Sequence, residues 1–146
     1  MATRKHIAKV KTQINVPVDK TWDALVNPQM IKKYMFGTSV NSDWVEGSKI
    51  TWKGEWKGKP YEDKGVILHL KPNAELQYSH FSPLSGLEDK EENYHIVTIH
   101  LKEKDKHTSL SLTQDNNASK KEQEHSEKNW DMMLMSLKKL LEESSF

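Results

Sequence analysis

The chain has no cysteine among its 146 residues, which removes disulfides, thiolate nucleophiles and sulfur-ligated zinc from consideration. A small secreted domain more often relies on disulfide staples, so this absence leans toward a reducing compartment. Excess charge of either sign is missing too: 22 basic and 21 acidic residues leave a formal net charge of +1. Carboxylates are interleaved with the lysines along most of the chain, whereas phosphate binding needs a concentrated basic face, so nucleic acid is not an expected partner. No apolar run approaches the roughly 20 residues of a membrane-spanning helix. The basic, polar start from Met1 to Val10 has no signal-peptide character, and a cytoplasmic protein is expected. Neither a Gly-x-Ser-x-Gly elbow nor a phosphate-cradling glycine loop occurs, and no repeat or low-complexity segment is found.

What is present reads as one domain over residues 1–146, long enough to bury a core. Ala8, Val10, Thr12, Ile14 and Val16 alternate with polar residues, the mark of a half-buried antiparallel strand ended by Pro17. The period then changes. Val18, Thr21, Trp22 and Leu25 make a short amphipathic helix, and Asn27-Pro28 starts a second with Ile31, Tyr34 and Met35, stopped by Gly37.

From Thr38 to His80 the chain reads as strands. Ile50, Trp52 and Trp56 share a face with Gly54, and Gly58-Lys59-Pro60 suggests a hairpin turn. Val66, Leu68 and Leu70 alternate next, Pro72-Asn73 turns the chain, and Leu76, Tyr78 and His80 follow on one face. Ser82 to Asn93 reads as an exposed loop. Two further strands carry Val97, Ile99 and Leu101, then Thr108, Leu110 and Leu112.

The last element has the clearest local signal. Ser119 and Glu122 have capping-box spacing, and Trp130, Met133, Leu134, Leu137, Leu140 and Leu141 cover an arc of about 120° on a helix. That helix is expected from near Lys120 to Glu143, with Met132 and Met135 pointing away from the arc. Each strand shows one apolar face, and only this helix is large enough to cover it. The expected class is α+β: a curved antiparallel sheet of about seven strands around a long C-terminal helix, with two short helices after the first strand. Gly54 and Gly65 are positions where the sheet can bend.

Several segments together resemble the START-like (helix-grip) superfamily, in the branch named for the activator of the heat-shock protein 90 ATPase. They are Ile14-Asn15-Val16-Pro17, Thr21-Trp22-Asp23-Ala24-Leu25, Asn27-Pro28 with Ile31 and Tyr34, and Glu46-Gly47-Ser48. Further along come Gly65-Val66, Leu76-Gln77-Tyr78-Ser79, His107 to Leu112, and Asn129-Trp130 with Leu134, Leu137 and Leu141. The resemblance covers nearly the whole chain. Tyr34 stands where the branch commonly has tryptophan, and Asn129 where glycine is frequent; both bear on pocket shape.

For function, Trp52, Trp56, Tyr78, Trp130, Met133 and Leu137 are expected to face the space between sheet and long helix. Ordinary core packing is the plain alternative. His80, in phase with Leu76 and Tyr78, is the one titratable group aimed inward, and joins the candidate ligand-binding set. Nearly all of the carboxylates are expected on polar faces or in loops. His95 and His100 fall on opposite strand faces, so no metal site is expected, nor any cofactor or catalytic residue.

The resemblance implies that the space is a ligand site, so a hydrophobic or amphipathic small molecule is the first expected partner. It also implies a second reading, a chaperone-cofactor or stress-response domain with a protein partner. Such activators carry an additional N-terminal domain not seen in these 146 residues, so their activity is not expected to transfer directly. A cavity enzyme such as a cyclase or hydrolase is the third.

Overall fold

A computed structural model describes residues 6–56, 58–83 and 86–143. In β1 (Ala8–Ile14) the two end residues, Ala8 and Ile14, are buried while the lysines face water. Pro17 then opens α1 (Val18–Val26), and Asn27 opens α2 (Pro28–Tyr34) by accepting Gln29 N at 3.0 Å. Proline at the first helical position fits this cap, since its missing N–H would have had no helical partner. Tyr34 Oη donates to Ala24 O at 2.8 Å, so α2 satisfies a carbonyl at the end of α1. Burial pushes the Tyr34 phenol far above its ordinary pKa.

The strands β2 (Ser39–Ser42), β3 (Lys49–Trp56), β4 (Lys59–Lys71), β5 (Glu75–His80), β6 (His95–Lys104) and β7 (His107–Gln114) follow. With β1 they form one antiparallel, curved sheet of seven strands in the order β1-β7-β6-β5-β4-β3-β2. The long helix α3 (Lys120–Glu143) has the expected bounds, and Ser119 Oγ accepts Glu122 N at 3.2 Å at its start. Met133, Leu134, Leu137 and Leu141 of α3 join Ile50, Trp52, Ile67, Leu76, Tyr78 and Val97 of the sheet in one hydrophobic core. The domain is thus an α+β helix-grip fold.

The same helix closes the β1 edge of the sheet. Glu127 Oε2 accepts Lys9 N and Glu142 Oε2 accepts Asn15 N, each at 2.9 Å, while Lys138 Nζ donates to Gln13 O. Capping an edge strand in this way denies its open ladder groups to a foreign strand.

Two expectations are corrected here. Gly58 turns the chain with φ +79°, but Lys59 and Pro60 already belong to β4, with Pro60 opposite Glu55. Val66, Leu68 and Leu70 do not share the inner face: Ile67 is the fully buried residue, and Leu68 is 41% exposed. The register shifts between Ile67 and His69, and the extra residue of such a bulge transfers every following side chain to the other face. At Gly54 and Gly65, expected as bend positions, the register between β3 and β4 is continuous and the structure shows crowding. A Cβ on Gly54 would lie 2.5 Å from Tyr61 Oη, and one on Gly65 would lie 1.7 Å from Ser79 O.

Candidate functional site

The bulge decides which β4 residues look inward. With Ile67 inside, Gly65, Asp63 and Tyr61 follow on the same face, opposite Ile50, Trp52 and Gly54 of β3. Gly54 leaves room for the Tyr61 ring, whose hydroxyl lies 2.6 Å from Thr38 Oγ1. Thr38 is buried directly after the turn that ends α2, where Phe36 (φ 55°) and Gly37 (φ 89°) both adopt the left-handed region. That turn leaves Phe36 72% exposed at the lip of the site. A non-glycine residue at such a φ is uncommon, and here it places an aromatic ring outside the core.

Asp63 meets His80 across the sheet. Their Oδ2 and Nε2 atoms are 2.9 Å apart, and because a carboxylate only accepts, His80 donates through Nε2. The His80 ring stands edge-on to Trp52, with centroids 5.0 Å apart, and Trp52 tilts against Tyr78 at 5.1 Å. Burial raises the Tyr78 phenol well above its usual range. Asp63 Oδ1 is fully enclosed and has no hydrogen-bond partner.

Between sheet and helix the interior is nearly full. A void of about 30 Å³ remains, lined by apolar and aromatic side chains that include Trp52, Tyr78, Trp130 and Met133. Ligand pockets are typically roughly 300–1,000 Å³, so the enclosed space cannot itself hold an organic molecule. Beside it lies an open cleft of about 370 Å³ bordered by Met35, Phe36, Thr38, Glu55, Tyr61, Asp63, Asn129, Trp130 and Met133. Met35, Trp130 and Met133 line both spaces, so the void lies behind the floor of the cleft. Trp130 is held in place by Nε1 donating to Gln114 Oε1 at 2.5 Å.

The structure therefore divides the expected set. Trp130 and Met133 face the cleft and Trp52 and Tyr78 line only the small void behind it, while His80 lines neither space and touches the cleft wall only by its bond to Asp63. Leu137 is fully buried and borders neither space, so its part is packing. The Trp56 side chain lies outside the described residues. Asp63, Tyr61, Thr38 and Glu55 were not singled out by the sequence. Asp63 is an inward exception to the expectation that nearly all carboxylates keep to polar faces or loops, and the β4 bulge sets its phase.

Elsewhere, His69 stands between Glu46 at 3.1 Å and Glu75 at 3.2 Å, and His100 meets Glu75 at 3.0 Å. Among the described residues no group of three or more His, Asp or Glu is arranged to hold a metal ion. No described helix is long and apolar enough to cross a membrane.

No curated protein matches the chain. Among solved structures, a protein of Cytophaga hutchinsonii is 60% identical, with a TM-score of 0.86 and 99% of both chains covered. CalU16 from Micromonospora echinospora has a similar fold at 21% identity and a TM-score of 0.72, covering 91% of this chain and 72% of that one. The Aha1 dimer from Colwellia psychrerythraea does so at 19% identity and a TM-score of 0.69, covering 90% and 92%. A family model described as "Activator of Hsp90 ATPase homolog 1-like protein" matches residues 15–142, nearly the entire helix-grip domain, and the chain belongs to that family.

Proposed function

We propose that this domain binds an apolar or amphipathic small molecule in the open cleft between the C-terminal helix and the β3–β4 hairpin. The observation that supports this reading is the cleft of about 370 Å³, with Met35, Phe36, Trp130 and Met133 along it and a few polar groups, among them Thr38, Glu55 of β3 and Tyr61 and Asp63 of β4. That size and that mixture of lining are those of small-molecule sites. The void behind Trp130 and Met133 offers room for no more than a methyl-sized tip of the bound molecule.

The test is titration with N-phenyl-1-naphthylamine, a neutral apolar dye that brightens when it leaves water. One saturable site is expected. Asn129 lines the cleft from an exposed position on α3, so Asn129→Trp should fill the cleft without disturbing the core. This variant is expected to abolish the dye signal and keep the thermal midpoint of the parent. A parent protein that shows no saturable signal, or a blocked variant that binds unchanged, removes the reading.

A further inference from the structure

The cleft carries polar information of one sign. Among the described residues its lining includes two carboxylates, Glu55 and Asp63, and no lysine, arginine or histidine. The single buried side-chain polar atom without a partner among the described residues is Asp63 Oδ1. His80 engages Oδ2 and fixes the carboxylate, and among the described residues no donor meets the enclosed Oδ1, so the charge of Asp63 is met by a single hydrogen bond. A carboxylate so poorly compensated favours a cationic donor at its open side, where a charge-assisted hydrogen bond is stronger than a neutral one. The hydroxyls of Thr38 and Tyr61 bond to each other at 2.6 Å.

Resting on the binding reading above, we infer that the ligand is an amphipathic amine: an apolar body lying along Phe36, Trp130 and Met133, and a cationic N–H head directed to the side of the Asp63 carboxylate that borders the cleft. Aromatic faces at the lip add to the preference, because a cation is attracted to the ring quadrupole of Trp130 or Phe36. An anionic amphiphile such as a fatty acid would bring a third negative group beside two carboxylates, with no lysine or arginine among the described lining residues to receive it. The sign of the head group is therefore the property that this cleft selects.

A matched series with the same tail tests it: decylamine, decanol and decanoate, all below their micellar concentrations, displacing the naphthylamine dye. The expected order is amine tightest and decanoate weakest, with at least about tenfold between them, as one charge-assisted hydrogen bond supplies. Asp63→Asn should reduce the amine-to-alcohol ratio by about tenfold and leave decanol within about twofold. Glu55→Gln, at an exposed position that does not threaten folding, should reduce the same ratio by a smaller factor and make it less salt-dependent. Decanoate competing as well as decylamine, or an amine preference that survives Asp63→Asn in a folded protein, overturns the inference. In that case the dye would still bind and the cleft would stand as a site. Absence of dye binding altogether would instead fail the underlying reading, and this inference with it.

Discussion

Gly65 and Ser79 lie so close across β4 and β5 that a Cβ on Gly65 would be 1.7 Å from the Ser79 carbonyl oxygen. The obstacle is backbone, and it belongs to the strand segment that carries Tyr78 and His80. Gly65→Ala therefore has to push β5 away from β4 instead of turning a side chain. Overpacking that cannot relax costs about 3 kcal/mol or more, so urea unfolding of Gly65→Ala should show a large loss, with His80 displaced from Asp63. At Gly54 the obstacle is the far end of the Tyr61 ring, 2.5 Å away, which can swing aside. Gly54→Ala should cost less and act mainly on the cleft. Equal and small losses at both sites would refute this account.

The void behind the cleft makes a paired prediction. Val40 borders the space of about 30 Å³, roughly the volume of one methylene group, whereas Val97 is fully buried and does not border it. Val40→Ile should be neutral or stabilise by up to about 1 kcal/mol, since the added group fills empty apolar space. The same addition at Val97 should cost about 1–3 kcal/mol, because it enters a region already packed. Denaturation midpoints of the two variants decide the matter, and a loss at Val40 as large as that at Val97 would mean that the void does not exist in solution.

Most of the fold was legible because its signals are local. The period of two in β1, the change of period at Val18 and the Ser119–Glu122 cap each arise within a few residues, and α3 has the bounds they imply. The inward wall of β4 was not legible. Val66-Ile67-Leu68 is a continuous apolar run that fits either parity, and the bulge after Ile67 gives the upper and lower halves of the strand opposite phases. Reading downward from Leu70 therefore puts Asp63 and Tyr61 on the wrong face. Gly65 was a usable signal, since a glycine in a strand marks close approach, but it does not say which neighbour approaches. How full the interior is depends on the fit of side chains from many elements, including Tyr34 and Trp130, and no local pattern encodes that sum.

A second buried polar pair ties the first strand to the rest. Thr108 Oγ1 donates to Val16 O at 2.9 Å and accepts from Thr21 Oγ1 at 3.1 Å, and both threonines are fully buried. Thr108→Val leaves the Val16 carbonyl without this donor and should cost about 1–3 kcal/mol. Thr21→Val should cost less, because the Pro17 carbonyl that its hydroxyl reaches at 3.3 Å also accepts Thr21 N at 3.2 Å and so keeps a donor. The double variant should fall short of the sum by about 0.5 kcal/mol or more, as expected for groups in one network. Strict additivity in a double-mutant cycle would show that the two hydroxyls do not act together.

The edge lock of α3 on β1 should make stability depend on acid. Glu142 Oε2 takes Lys138 Nζ at 2.7 Å and Asn15 N at 2.9 Å, and these two bonds hold its pKa below the ordinary glutamate value. A carboxyl whose folded pKa is depressed stabilises the fold above its unfolded pKa, about 4.3, and that contribution is lost as pH falls through the lower folded value. Glu142→Gln keeps the shape but not the charge. The variant should be less stable than the parent near pH 6, and the gap should close as acid protonates Glu142 below about pH 4. The group is partly exposed, so added salt should also narrow the gap. Urea midpoints at both pH values measure it. A gap that is absent at neutral pH, or one that widens in acid, would mean that Glu142 does not hold the strand edge through its charge.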